Sequence, residues 1–253
     1  MPFAKGCEIE LRQALARKLC GFLQLRAHVV ADAEQIIVAA ALLPPGAGEA
    51  LLANAADLAR LFTREQGRPV DAALREIQGA ADWLKQVSQM TPPTHVVEDS
   101  KAQFIETRHV PLGVICGIVP WNFPVSMAIW KIAPALVTGN TMVLKPSELA
   151  PLNAIVFAEI LDEAGVPPGV FNLVNGDGPG VGVPLSSHPD VDMLSFTGST
   201  RAGQSVMENA AKGIKKVALE LGGKSPNVIL DDADLQKSVA RSMMHMAMKD
   251  RKS

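Results

Sequence analysis

Short, mostly apolar runs separated by stretches of helical length limit what this chain can fold into more than any other feature. Residues 114–119, 141–144, 170–174 and 192–196 form such runs. Their length and composition suit strands covered on both faces, as in parallel sheets. Between them, residues 126–137, 152–164 and 180–187 read as helices, and residues 216–219 add one more strand. Strands alternating with helices imply crossover connections, so the expected architecture is α/β with a doubly wound sheet.

The region before residue 111 reads differently. Residues 9–41 are rich in Ala and Leu, with Leu11, Leu15, Leu19, Phe22 and Leu23 at helical spacing. Residues 44–48 break the pattern with proline and glycine. Leu51, Leu52, Ala55, Leu58 and Leu61 restart it, predicting a second helix to about residue 64. Residues 71–88 repeat it, with Leu74, Ile77, Ala81 and Leu84 on one side. Thr91, Pro92 and Pro93 end that third helix, and residues 95–110, with Val97, Phe104, Ile105 and Val110, predict a β-hairpin. The expected division is a helical region over 1–90, a hairpin over 91–110 serving as an oligomerisation arm, and an α/β domain over 111–218. Residues 219–253 then begin a further domain.

Composition removes several function classes. Lys and Arg number 24 against 26 for Asp and Glu, a net charge of -2, so no broad field favours nucleic acid or an acidic membrane. Cys7, Cys20 and Cys116 are too scattered for a disulfide framework, and no Cys/His spacing suggests zinc. Charges at Lys5, Glu8, Glu10 and Arg12 argue against a secretory signal, and no segment has membrane-spanning character. The expected location is the cytoplasm.

Most strands of this reading end in a segment able to carry chemistry. Pro120-Trp121-Asn122-Phe123-Pro124 follows the first. Its prolines fix the backbone around an amide that can donate to an oxyanion; the alternative is a rigid aromatic turn in which Asn122 satisfies its own backbone. Lys145-Pro146-Ser147-Glu148 follows the second, at the edge where open α/β sheets bind ligands. Lys145 can bond ribose hydroxyls or phosphate and Glu148 can accept from ribose, while an ordinary surface ion pair is the competing reading. The glycines of residues 176–182 read as a tight turn that needs positive φ. Residues 198–203, Gly-Ser-Thr-Arg-Ala-Gly, open a helix expected near Ala202 and can bring backbone close to a nucleotide, unless they are a plain connection. Glu220-Leu221-Gly222-Gly223-Lys224 follows residues 216–219, and Glu220 is either a general base or a structural carboxylate.

In their order and spacing, Pro120-Trp121-Asn122-Phe123-Pro124, Lys145-Pro146-Ser147-Glu148, the glycine turn ending at Gly182, Phe196-Thr197-Gly198-Ser199-Thr200 and Glu220-Leu221-Gly222-Gly223-Lys224 together closely resemble aldehyde dehydrogenases from about residue 61 to residue 248. The resemblance implies a Rossmann-type NAD-binding domain behind an N-terminal helical layer and a hairpin. Lys145 and Glu148 would lie at the adenosine ribose, Gly198 and Ser199 near the pyrophosphate, and Trp121 along the cofactor cleft. Val119, Pro120, Asn122, Ser147, Gly178, Gly182, Phe196, Thr197, Glu220, Leu221 and Gly222 complete the implied cofactor contacts. NAD is expected over NADP, because a carboxylate at Glu148 repels a 2′-phosphate. The implied catalytic roles are Asn122 stabilising a thiohemiacetal oxyanion and Glu220 activating the water that hydrolyses the thioester. Both presuppose a cysteine that the family carries in a Gly-Gln-x-Cys-like segment downstream of Glu220. Residues 249–253 hold none, and Cys116 lies in an apolar run where an inert thiol is expected. The chain is therefore expected to lack most of the catalytic domain and to be inactive as it stands. The alternative is a non-catalytic, NAD-binding or oligomer-forming fragment, in a homo-oligomer or paired with a full-length relative. Residues before about 50 lack the opening common in the family.

Overall fold

The computed structural model describes residues 42–224 and 226–248. The first expected helix, over residues 9–41, lies outside them.

Three helices form a layer: α1 (Ala47–Ala53), α2 (Ala55–Gln66) and α3 (Val70–Ser88). The single helix expected over residues 51–64 is thus two. Asn54 interrupts it, its side-chain Nδ2 donating to the carbonyl of Ala50 at 2.9 Å while its own carbonyl starts α2. Asparagine offers the backbone a local alternative to the helical ladder, which places it at a helix end. α2 stops at Gly67, whose φ of 83° is the left-handed cap that glycine adopts freely.

The hairpin is β1 (His95–Asp99) and β2 (Phe104–Thr107), antiparallel, with a register shift between Val96 and Glu98. Pairing ends at Thr107, short of the expected residue 110, and Val96, Val97, Phe104 and Ile105 are exposed.

The sheet contains β3 (Val114–Ile118), β4 (Thr141–Lys145), β5 (Phe171–Leu173), β6 (Met193–Thr197) and β7 (Lys216–Glu220). All are parallel, in the order β5, β4, β3, β6, β7. Helix α4 (Pro124–Val137) links β3 to β4, and α5 (Leu152–Glu163) links β4 to β5. A π-helical turn (Gly178–Gly182) and α6 (Val183–Ser187) lead to β6, α7 (Thr200–Ala211) links β6 to β7, and α8 (Leu235–Met248) follows.

Strand alternation divides the core. Ile115, Met142 and Leu144 face α4, α5 and the helical layer, where Phe62, Ile77, Leu84, Ile129, Ile132 and Leu136 are fully buried. Each such side chain contributes about 1.5–3 kcal/mol. Val114, Cys116, Ile118, Val143, Leu194 and Phe196 face the opposite side, packed on Val181, Leu185, Val206 and Ala210. Central β3 is buried throughout, whereas β7 at the sheet edge alternates between exposed and half-buried positions.

Two sequence expectations change here. The helix read over residues 180–187 is the π turn followed by α6, because Asp177 accepts from the Gly180 amide at 2.6 Å and winds the preceding glycines into the turn. Positive φ in that stretch belongs to Gly176 alone, where added bulk would collide with Val181.

Candidate active site

The connections from β3 and β6 leave in opposite directions. β3 feeds α4 and then β4 on one side, while its neighbour β6 feeds α7 and then β7 on the other. Adjacent strands whose connections diverge leave a crevice at their carboxyl ends, the place where open α/β sheets take ligands. Here the crevice lies between residues 119–123 and residues 198–199.

One wall is Val119, Pro120, Trp121 and Asn122. Val119 is buried and its amide donates to the Lys145 carbonyl at 3.1 Å, tying this wall to β4. Asn122 does not close its own turn. Its carbonyl accepts from Arg68 Nη2 at 2.7 Å and from Gln66 Nε2 at 3.3 Å, and its half-buried side-chain amide makes no hydrogen bond among the described residues.

Phe196, Thr197, Gly198 and Ser199 form the other wall. Phe196 is buried beneath it. The Gly198 amide donates to the Glu220 carbonyl at 3.0 Å, and Ser199 Oγ caps α7 by accepting from the Ala202 amide at 3.3 Å. That cap starts α7 at Thr200, two residues before the expected position. Thr197 Oγ1 is buried with no hydrogen-bond partner among the described residues. A buried hydroxyl left unpaired is costly and marks a place for a ligand or water.

Lys145 ends β4 and departs from the surface ion pair of the competing sequence reading. It is 3% exposed, donates to the Pro146 carbonyl at 2.7 Å and lies 3.6 Å from the exposed Glu148 carboxylate. Burial lowers its pKa, and Glu148 and Asp177 partly offset that. Its stem reaches Gly182, which is buried, while Gly178 opens to solvent. Ser147 follows, its Oγ accepting from the Leu149 amide at 3.3 Å. Glu220, Leu221 and Gly222 emerge exposed from β7, with Thr197 and Glu220 in register. From β4 to β7 is three strand spacings, about 14 Å, so a ligand touching Lys145 and Glu220 must be extended.

Sequence reasoning missed three residues. Lys131 Nζ, on α4, donates to Ser195 Oγ on β6 at 2.9 Å. Burial pulls its pKa down to about 8 against the pull of Glu220. A lone cation in the apolar run 126–137 was the available signal. Arg68 and Glu76, buried under the Asn122 wall, gave none. Cys116, as expected, is fully buried, and burial pushes its thiol up to about 12. No helix among the described residues is long and apolar enough to cross a membrane.

Fold and site together define a doubly wound parallel α/β protein whose strand connections diverge at a switch point between β3 and β6. The aldehyde dehydrogenase family model matches residues 43–250, and the chain belongs to that family. It is 50% identical over 196 residues to 3-succinoylsemialdehyde-pyridine dehydrogenase of a Pseudomonas species, covering 76% of this chain and 40% of that protein. An NADP-dependent enzyme of E. coli superposes with a TM-score of 0.78 at 38% identity, over 90% of this chain and 50% of that one. An NAD-dependent aldehyde dehydrogenase from Sinorhizobium meliloti gives 0.73 at 38% identity, over 79% and 40%. The chain thus spans about two fifths of the length of that curated relative.

Proposed function

We propose that the described residues form the NAD-binding part of an enzyme that oxidises an aldehyde to a carboxylic acid. The observation that carries this reading is that Asn122, Lys145, Glu148, Thr197, Gly198 and Glu220 all lie along one carboxyl edge, around one switch point. The site fits a dinucleotide. Thr197 Oγ1 is a buried hydroxyl awaiting a partner, and a Cβ at Gly178, Gly222 or Gly223 would meet nothing within 4 Å, so the backbone there stands beside open space.

In this reading Lys145 and Glu148 hold the adenosine ribose, with Ser147 and Gly182 beside them. The amides of Gly198 and Ser199, at the start of α7, take the pyrophosphate. Val119, Pro120, Trp121, Phe196, Leu221 and Gly222 shape the cleft. Bound NAD supplies the hydride acceptor. With the family's cysteine nucleophile supplied from outside the described residues, the Asn122 amide donates to the oxyanion of the thiohemiacetal that thiol forms, and Glu220 takes the proton of the water that cleaves the resulting thioester and releases the thiol. The domain division belongs to the same proposal: helical region to residue 90, hairpin 91–110, NAD-binding domain 111–218, and residues 219–253 leading into a catalytic domain.

Calorimetric titration of the folded chain with NAD and NADP tests this. Saturable NAD binding is expected, with NADP weaker because Glu148 repels a 2′-phosphate. A folded chain that takes up neither overturns the reading, and equal affinities overturn the preference for NAD.

The exposed hairpin favours a second reading, a non-catalytic chain that pairs through Val96, Val97, Phe104 and Ile105 with a full-length relative. Co-purification of the chain with an intact aldehyde dehydrogenase, abolished by polar substitutions at Phe104 and Ile105, is its expected signature.

A further inference from the structure

We infer that Arg68 and Glu76, carried by the helical layer, are positioning residues that set the shape of the Asn122 wall of the crevice. This rests on the crevice assignment made above and extends the site into a layer that otherwise looks like scaffold.

The pair is 6% and 7% exposed. Glu76 uses both carboxylate oxygens: Oε2 takes Arg68 Nη1, and Oε1 accepts from the Ser126 amide at 3.1 Å. That amide is among the first of α4, which lack helical partners. Arg68 turns its other terminal nitrogen, Nη2, to the Asn122 carbonyl, and its guanidinium lies 4.3 Å from the Phe123 ring centroid and 5.0 Å from that of Phe62. One ion pair therefore holds the carbonyl of residue 122, the ring of residue 123 and the start of α4. With the carbonyl and the following ring fixed, the Asn122 side chain is left without a hydrogen bond among the described residues.

A buried ion pair is a poor source of stability, since apolar side chains of similar volume commonly replace it at no loss. Its distinct contribution is directional: a guanidinium is a rigid fork able to serve a carboxylate and a carbonyl at once. Prolines 120 and 124 limit the backbone on either side of the turn but supply no donor to hold its carbonyl. Gln66 Nε2, at 3.3 Å, is the other donor to that carbonyl among the described residues, a longer bond from a neutral group.

The test uses the full chain with the double substitution Arg68→Met/Glu76→Leu, which removes the pair and keeps the volume, and separately Arg68→Lys, which keeps the charge and loses the fork. Three quantities are measured: melting temperature, amide hydrogen exchange by peptide, and NAD affinity. Positioning predicts near-native melting with exchange accelerated selectively over residues 119–126. NAD affinity then falls roughly tenfold, as for a wall in its competent shape about a tenth of the time. Arg68→Lys gives the same pattern more weakly, and it carries the test if the double variant fails to fold. Unchanged exchange over 119–126, or acceleration spread evenly over α1 to α3, overturns the inference. If the unmodified chain binds no NAD, the functional proposal fails, while the exchange pattern still decides the clamp.

Discussion

Lys131 and Cys116 show how one physical cause, loss of water, has opposite consequences for two kinds of side chain. Burial disfavours the charged form of each. It lowers Lys131 to about 8, so the amine is half neutral near that pH, and it raises Cys116 to about 12, so the thiolate is scarce. Lysine acylation followed by mass spectrometry is therefore expected to modify Lys131 with a midpoint near pH 8. Glu220→Gln removes the charge that favours the ammonium, so the midpoint moves lower still; an upward shift refutes that electrostatic influence. Cys116 is expected to resist alkylation in the folded chain and to react only with unfolding, which would exclude it as a nucleophile for aldehydes. Rapid alkylation of the native thiol refutes that exclusion. Lys145 and Glu220 could be singled out as candidates in the sequence because each directly follows an apolar run, and Asn122 because it follows one between two prolines. Lys131, Arg68 and Glu76 were not, since what they do depends on partners 50 or more residues away.

At the scale of elements, the apolar runs predicted β3 to β7 to within a residue or so; β3 and β4, buried on both faces, leave a plain compositional trace, and β5 to β7, less covered, still carry short apolar runs. The errors sit where a polar side chain or a glycine overrides periodicity: Asn54 splitting one helix and Asp177 winding the π turn. A similar local device aligns the start of the sheet. Asp192 accepts from the Val114 amide at 2.8 Å, Asn140 Oδ1 from the Leu112 and Gly113 amides at 2.6 and 3.0 Å, and Gly113 between them has φ of 121°. A Cβ there would strike the Asp192 carboxylate. Gly113→Ala is thus expected to destabilise the domain by more than about 1 kcal/mol, combining the left-handed backbone penalty with the displaced carboxylate. Denaturant unfolding measures it, and a midpoint equal to that of the unmodified chain contradicts the account.

Across the whole molecule, burial is lopsided. The inner face of the helical layer and both sides of central β3 are buried, yet Ile214 just before β7 and Leu221, Val228, Ile229, Leu230, Leu235, Val239 and Met243 beyond it are exposed, as are apolar residues of the hairpin. Scattered exposed apolar residues are ordinary, but many along one stretch mark a surface that meets something. Edge strand β7 adds backbone groups with no neighbour on its outer side among the described residues, a template for pairing with another chain. Together these predict self-association of the isolated chain that strengthens with concentration. Sedimentation velocity over a range of loading concentrations measures it. Val228→Lys with Leu230→Glu is expected to return the chain to a monomer without weakening NAD binding, since neither residue belongs to the crevice. A mass independent of concentration in the unmodified chain would show that this surface is tolerated by water as it stands. Self-association that survives these substitutions but is lost with Phe104→Ser would instead assign the contact to the hairpin.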